Sequence, residues 1–176
     1  MVYDTGTGIN SVLGKSSITA IYEMKIIRER VDDLWKKRIE ISNPKKPNRM
    51  RLFYDLFYDL VIKWLAGITF TDDEIVKTDY FKYLQGYHSN WQDPLDDRTR
   101  IKIISKWRDG EVLLRDIQKN GIKNPIDMLI DNDRHCTYIC RGNRRLTIAK
   151  ALGIEYVNIR YATKEEYETQ YNNSDT

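Results

Sequence analysis

At 176 residues, 41% apolar and 11% aromatic, the chain is too hydrophobic for intrinsic disorder and fits one ordinary domain with an appendage, or two small ones. Two Cys cannot build a disulfide framework, and neither zinc nor haem is expected. The net charge of +3 is well short of the basic excess of a dedicated DNA binder. Basic stretches at 15–51 and 98–160 nevertheless flank an acidic one at 52–97, which offers DNA a footprint if the segments do not pack together and cancel. The opening MVYDTGTGIN lacks the basic start and apolar core of a signal peptide. The longest apolar stretch, Leu60 to Phe70, is broken by Lys63 and is too short for a membrane span. The expectation is a cytoplasmic protein with no membrane partner.

In chain order, residues 1–16 read as a leader. Ile21, Met24, Ile27, Val31, Leu34 and Trp35 recur every three or four positions, which predicts a helix from Ser17 to about Ile39. Ser42 to Asn48, with two prolines, reads as a connector. A two-column apolar stripe from Leu52 to Leu65 predicts a second helix, closed by Gly67. Thr71-Asp72-Asp73-Glu74 spells a capping box opening a third helix towards Leu84. Residues 86–95 read as loop. Helices follow from Asp96 to Trp107 and from Glu111 to Asn120, with Gly121 at the position after the last turn. Ile126, Met128 and Ile130 alternate, as do Cys136, Tyr138 and Cys140, which predicts a hairpin. On such a strand the two cysteines lie about 13 Å apart, too far to bridge, and read as small buried hydrophobes. A helix from Arg144 to Leu152, a strand from Tyr156 to Tyr161 and a terminal helix capped by Thr163 complete the series.

The chemically informative point is where the second hairpin strand meets the next helix. Gly142 permits close backbone approach, Asn143 reads as an N-cap, and Arg144 and Arg145 open the helix. Unpaired N–H groups and the helix dipole make that end electropositive, and two guanidiniums add bidentate donors suited to phosphate. An anion site is expected there.

The run Gly121-Ile122-Lys123-Asn124-Pro125, the hairpin, and then Gly142-Asn143-Arg144-Arg145-Leu146 with Ala149 and Leu152-Gly153 resembles the ParB/sulfiredoxin superfamily. The N-terminal, ParB-like nuclease domain of partition proteins is the nearer pattern. The resemblance covers roughly residues 98–162. It implies an α/β (α+β) fold with a small mixed sheet and flanking helices over 96–176, preceded by a helical N-terminal extension over 1–95. It also implies nucleotide phosphates at Gly142, Asn143, Arg144 and Arg145, with Arg145 the more critical arginine. Gly121, Asn124 and Pro125 would form the opposite wall. A nucleoside triphosphate with Mg²⁺ is the implied ligand, serving as a switch for DNA association, and a homodimer is compatible with it. If the protein is an enzyme, an NTPase or a kinase resembling the superfamily's free-serine kinases is expected. Glu111, Asp116 and Asp127 are then the nearest carboxylates by sequence. A nuclease would need clustered carboxylates, which 141–153 lack, and sulfiredoxin chemistry would need a thiol where Asn143 stands. A protein-interaction module with no ligand is the remaining alternative.

Gly8 to Ser16 nearly spells a phosphate-binding loop, but five residues separate its glycines where the motif needs four. It reads instead as part of the leader. His88 and His135 stand apart from any triad-like partner. Phe53, Tyr54, Phe57, Tyr58 and Trp64 read as core, whereas Tyr80, Phe81, Tyr83, Tyr87 and Trp91 read as packing between halves or the lining of a cleft. Lys36-Lys37-Arg38 and Lys45-Lys46 read as a solvated face, and they are the best placed for a phosphate backbone.

Overall fold

The computed structural model describes residues 26–42, 47–87, 97–132 and 135–164. They form strand β1 (Ile26–Arg30), helices α1 (Val31–Lys36), α2 (Pro47–Leu65), α3 (Asp72–Ile75), α4 (Asp79–Tyr87) and α5 (Asp97–Asn120), strands β2 (Ile126–Asp131) and β3 (Cys136–Arg141), helix α6 (Asn143–Ala151) and strand β4 (Tyr156–Thr163). The class is mixed α/β. The strands make one sheet in the order β1-β4-β2-β3. β2 runs parallel to β4, and the outer pairs β1–β4 and β2–β3 are antiparallel. Among the described residues no helix is long and apolar enough to cross a membrane.

The hairpin falls where alternation predicts it, with Leu129 opposite Tyr138 and Ile130 opposite Thr137. β2 lies inside the sheet and is buried along almost its whole length, from Ile126 to Leu129 and again at Asp131. Such burial on both faces suits the strand that pairs in parallel with β4. α6 lies against this sheet with Leu146, Thr147, Ile148 and Ala149 buried. α2 then packs across α6, burying the stripe Phe53, Tyr54, Phe57, Leu60, Val61 and Trp64. Pro47 stands first in α2, where its missing N–H costs nothing.

Four sequence expectations are corrected. Within the helix predicted over Ser17–Ile39, Ile26–Arg30 is a strand, because its backbone pairs with β4 from Ile26–Arg160 to Arg30–Tyr156. Only Val31–Lys36 is helical there, and 17–25 lies outside the described residues. The connector is shorter at its far side, since Pro47 and Asn48 already belong to α2; 43–46 lies outside. The capping box forms as predicted, with the Glu74 amide reaching Thr71 Oγ1 and the Thr71 amide reaching Glu74 Oε2. Its helix nevertheless stops at Ile75, and Thr78 starts α4 by accepting from the Phe81 amide at 3.1 Å. The two helices predicted on either side of Gly110 are the single helix α5. A Cβ at Gly110 would lie 2.9 Å from Phe57 Cε2 and 3.0 Å from Trp64 Cη2, so the glycine admits two rings rather than ending a helix. Thr163 ends β4, opposite Ile130, and Lys164 after it is already helical; the rest of the predicted terminal helix lies outside the described residues.

Cys136 and Cys140 form no disulfide and are half-buried rather than buried. Trp35, Tyr54, Phe53, Phe57, Tyr80 and Trp64 form a connected series of ring contacts through Trp107 to Phe70. That series joins α1, α2, α4 and α5 into one core.

Candidate functional site

Gly142 joins β3 to α6 with φ +110°, a conformation that favours glycine. A side chain there would also meet β2, because a Cβ would lie 3.1 Å from Ile126 Cα. The glycine is therefore required by the packing of the turn on β2. It is also the N-cap of α6; Asn143, expected to cap, is the first helical residue. Its side chain accepts instead from the Tyr54 hydroxyl at 2.7 Å. Since that hydroxyl has one proton, the 2.8 Å contact between Tyr54 and Ser42 is a donation from Ser42. Ser42 and Tyr54 are fully buried, and burial pushes the Tyr54 phenol up to about 12. This chain pins the first residue of α6 to α2. It leaves the Asn143 amide nitrogen to donate elsewhere.

A cleft of about 570 Å³ opens over that first turn. Cys140, Arg141, Gly142, Asn143, Arg144 and Arg145 form its floor, and Cys140 Sγ lies 3.3 Å from the Asp127 carbonyl. Its walls come from Met50 and Phe53 of α2, Tyr80, Tyr83 and Leu84 of α4, and Lys106, Asp109 and Leu113 of α5. The volume lies within the range of small-molecule sites.

The two arginines behave differently. Arg145 donates to the backbone carbonyls of Asn124, at 2.7 Å, and Pro125. It thereby fastens the loop between α5 and β2 to α6. Arg144 is half-buried, 5.9 Å from the centroid of the Phe57 ring, and no carboxylate of the described residues pairs with it. Its charge acts on Tyr80, whose buried hydroxyl finds no acceptor among the described residues. Burial pushes that phenol up to about 12 against the lowering effect of the Arg144 charge, so it keeps its proton.

The other expected residues lie elsewhere. Gly121 (φ +70°), Asn124 and Pro125 are not in the cleft lining; the wall facing the turn is helical. Glu111 pairs with Arg115, Asp116 accepts from Asn120 at 2.7 Å, and Asp127 is buried against Arg160 Nε at 2.6 Å. None of the three lines the cleft, whereas Asp109 does. Of the aromatics offered as cleft lining, Tyr80 and Tyr83 are there, Phe81 is core, and Trp91 lies outside the described residues. So do His88, Lys45, Lys46 and residues 8–16. His135 is exposed in the hairpin turn at φ +50°. Arg38 is not a solvated charge: it stacks on Trp35 at 4.4 Å and pairs with Asp55 at 3.6 Å.

Sequence reasoning missed Lys106 and Asp109. Their spacing of three on an outer helical face is indistinguishable from ordinary solvated charge until α5 is set against the turn. Comparison with family models, with curated proteins and with solved structures finds no match to this chain.

Proposed function

We propose that the cleft binds a phosphate-bearing ligand, with Arg144 as its principal charged contact and a nucleoside triphosphate as the first candidate. The observation that carries this reading is a half-buried guanidinium at the start of a nine-residue helix, facing a cleft, with no carboxylate among the described residues to neutralise it. Taking a cation out of water without a partner is unfavourable, and an anion relieves that cost. The α6 backbone adds the positive end of its dipole, and the Asn143 amide nitrogen adds a neutral donor. The resemblance of the Gly142–Arg145 turn to the ParB/sulfiredoxin superfamily supports the same ligand class and a ParB-like fold. In that reading the nucleotide acts as a switch, with DNA association the wider role that the resemblance implies. Arg145, committed to the Asn124 and Pro125 carbonyls, serves as the brace of the turn.

Mg²⁺ with a triphosphate needs only one or two protein carboxylates beside the phosphate oxygens. Asp109 is the carboxylate the cleft offers. Phosphoryl transfer would need the same residue as its base, in place of Glu111, Asp116 or Asp127.

The test is a thermal-shift screen of ATP, GTP, CTP and UTP, each with and without Mg²⁺. A ligand at a hundredfold its Kd stabilises by about 2.7 kcal/mol. At least one triphosphate should raise the midpoint, and Arg144→Ala should cut the rise by half or more. Binding unchanged by Arg144→Ala would refute the reading.

A further inference from the structure

The wall opposite the arginine turn differs from it in chemistry. Met50, Phe53, Tyr83, Leu84 and Leu113 present apolar and aromatic surface, contributed by α2, α4 and α5. These residues come largely from the part of the chain that precedes the superfamily-like stretch. Phe53 and Leu84 are buried; Tyr83 is only half-buried. Its ring lies nearly parallel to that of the buried Tyr80, at 11° and 6.1 Å, and 6.1 Å from that of Phe53. It is thus held by two neighbours before any ligand arrives. An inorganic phosphate would use only the floor of a 570 Å³ cleft and leave this wall unused. The only carboxylate lining the cleft among the described residues, Asp109, is on the wall side with Lys106, whereas Arg141, Arg144 and Arg145 make the α6 end the more electropositive one.

We infer that the cleft takes an amphipathic ligand whose planar ring packs against the Tyr83–Phe53 wall while its phosphate lies on the turn, so that Tyr83 decides between nucleotides and bare polyphosphates. This deepens the phosphate reading and rests on it. Aromatic side chains recognise bases through their faces, and Met50 supplies a polarizable, adaptable neighbour.

Titration calorimetry of the full chain tests it, with ATP, GTP, CTP, UTP and inorganic tripolyphosphate as probes. The expected result is one or more nucleotides binding about tenfold to a hundredfold tighter than tripolyphosphate, the range that one stacked base provides. Tyr83→Ala should bring the nucleotide down to the tripolyphosphate level, and Tyr83→Phe should restore it. Arg144→Ala should weaken both probes. Leu113→Ala, at the same wall, should also weaken the nucleotide alone, and it stands in if Tyr83→Ala does not fold. Tripolyphosphate binding as tightly as every nucleotide, with both lost in Arg144→Ala, would overturn this inference and leave the phosphate reading standing. So would equal weakening of both probes by Tyr83→Ala. Failure of all five to bind would remove both.

Discussion

The Tyr54 hydroxyl donates to Asn143 Oδ1 across 2.7 Å, tying the middle of α2 to the first residue of α6. The two residues are 89 positions apart, and a third, Ser42, completes the chain from the buried side. Tyr54→Phe keeps the ring and strands both Ser42 and Asn143. A loss of about 1–3 kcal/mol is expected, as for buried polar groups left unpaired. Ser42→Ala, which leaves the contact to Asn143 intact, should cost less. Urea denaturation of the two variants decides the order. Equal midpoints for Tyr54→Phe and the parent chain would mean that water replaces the hydroxyl at no cost.

Gly110 and Gly121 make a matched pair of helix-associated glycines with opposite reasons for being glycine. Gly110→Ala gains roughly 1 kcal/mol of helix propensity. It also drives a methyl into the Phe57 and Trp64 rings, and overpacking of that kind costs about 1–3 kcal/mol. Net destabilisation is expected, with altered tryptophan fluorescence. Gly121→Ala meets nothing within 4 Å but must hold φ +70°, for about 1–2 kcal/mol and no spectral change. A more stable Gly110→Ala would show that the rings move aside.

The Thr71–Glu74 capping box carries a pH signature. Hydrogen bonds from the Thr71 amide and hydroxyl hold the exposed Glu74 carboxyl below its usual range. A folded pKa below the unfolded one means stability that is present above the unfolded value and lost as pH falls through the folded one. Helix α3 should therefore loosen on the acid side of about pH 4, the ordinary glutamate range. Thr71→Ala should return Glu74 to that range in a carbon-detected NMR titration and cost about 0.5–2 kcal/mol through the lost cap. A Glu74 titration indifferent to Thr71→Ala would refute the assignment.

The two arginines of the turn should separate stability from binding. Arg145→Ala frees the Asn124 and Pro125 carbonyls and should lower the midpoint, with hydrogen exchange rising in 121–126. Arg144→Ala removes a half-buried cation lacking a carboxylate partner among the described residues. It should leave the midpoint unchanged or raised while nucleotide affinity falls roughly tenfold to a hundredfold. The reverse assignment, Arg145 dominating affinity and Arg144 stability, would restore the expectation drawn from the superfamily resemblance.

The elements legible in the sequence were those whose cause is local. Leu52 to Leu65 repeats at helical spacing, Thr71 and Glu74 cap each other, and Ile126 to Ile130 alternates beside a turn. β1 was illegible because Ile27 and Val31 fit a helical period, whereas what makes Ile26–Arg30 a strand is β4, far along the chain. Gly110 misled for the same reason: its demand comes from Phe57 and Trp64, not from its neighbours. Half of the candidate site followed the same division. The turn at Gly142–Arg145 could be read from four consecutive residues. The wall that faces it gathers Phe53, Tyr83 and Asp109 from three helices, which no local pattern records.

The β1–β4 ladder has a consequence for how the protein is made. Ile26 pairs with Arg160, so the first described strand waits until about 130 further residues have left the ribosome. Until then β4 is absent, β2 has only β3 beside it, and the Ile26–Ile27 edge is unpaired. The aromatic series of α1, α2, α4 and α5, complete by Trp107, can collapse first. The sheet then closes late, at the cost of a long loop, and its registration becomes the slow step of maturation.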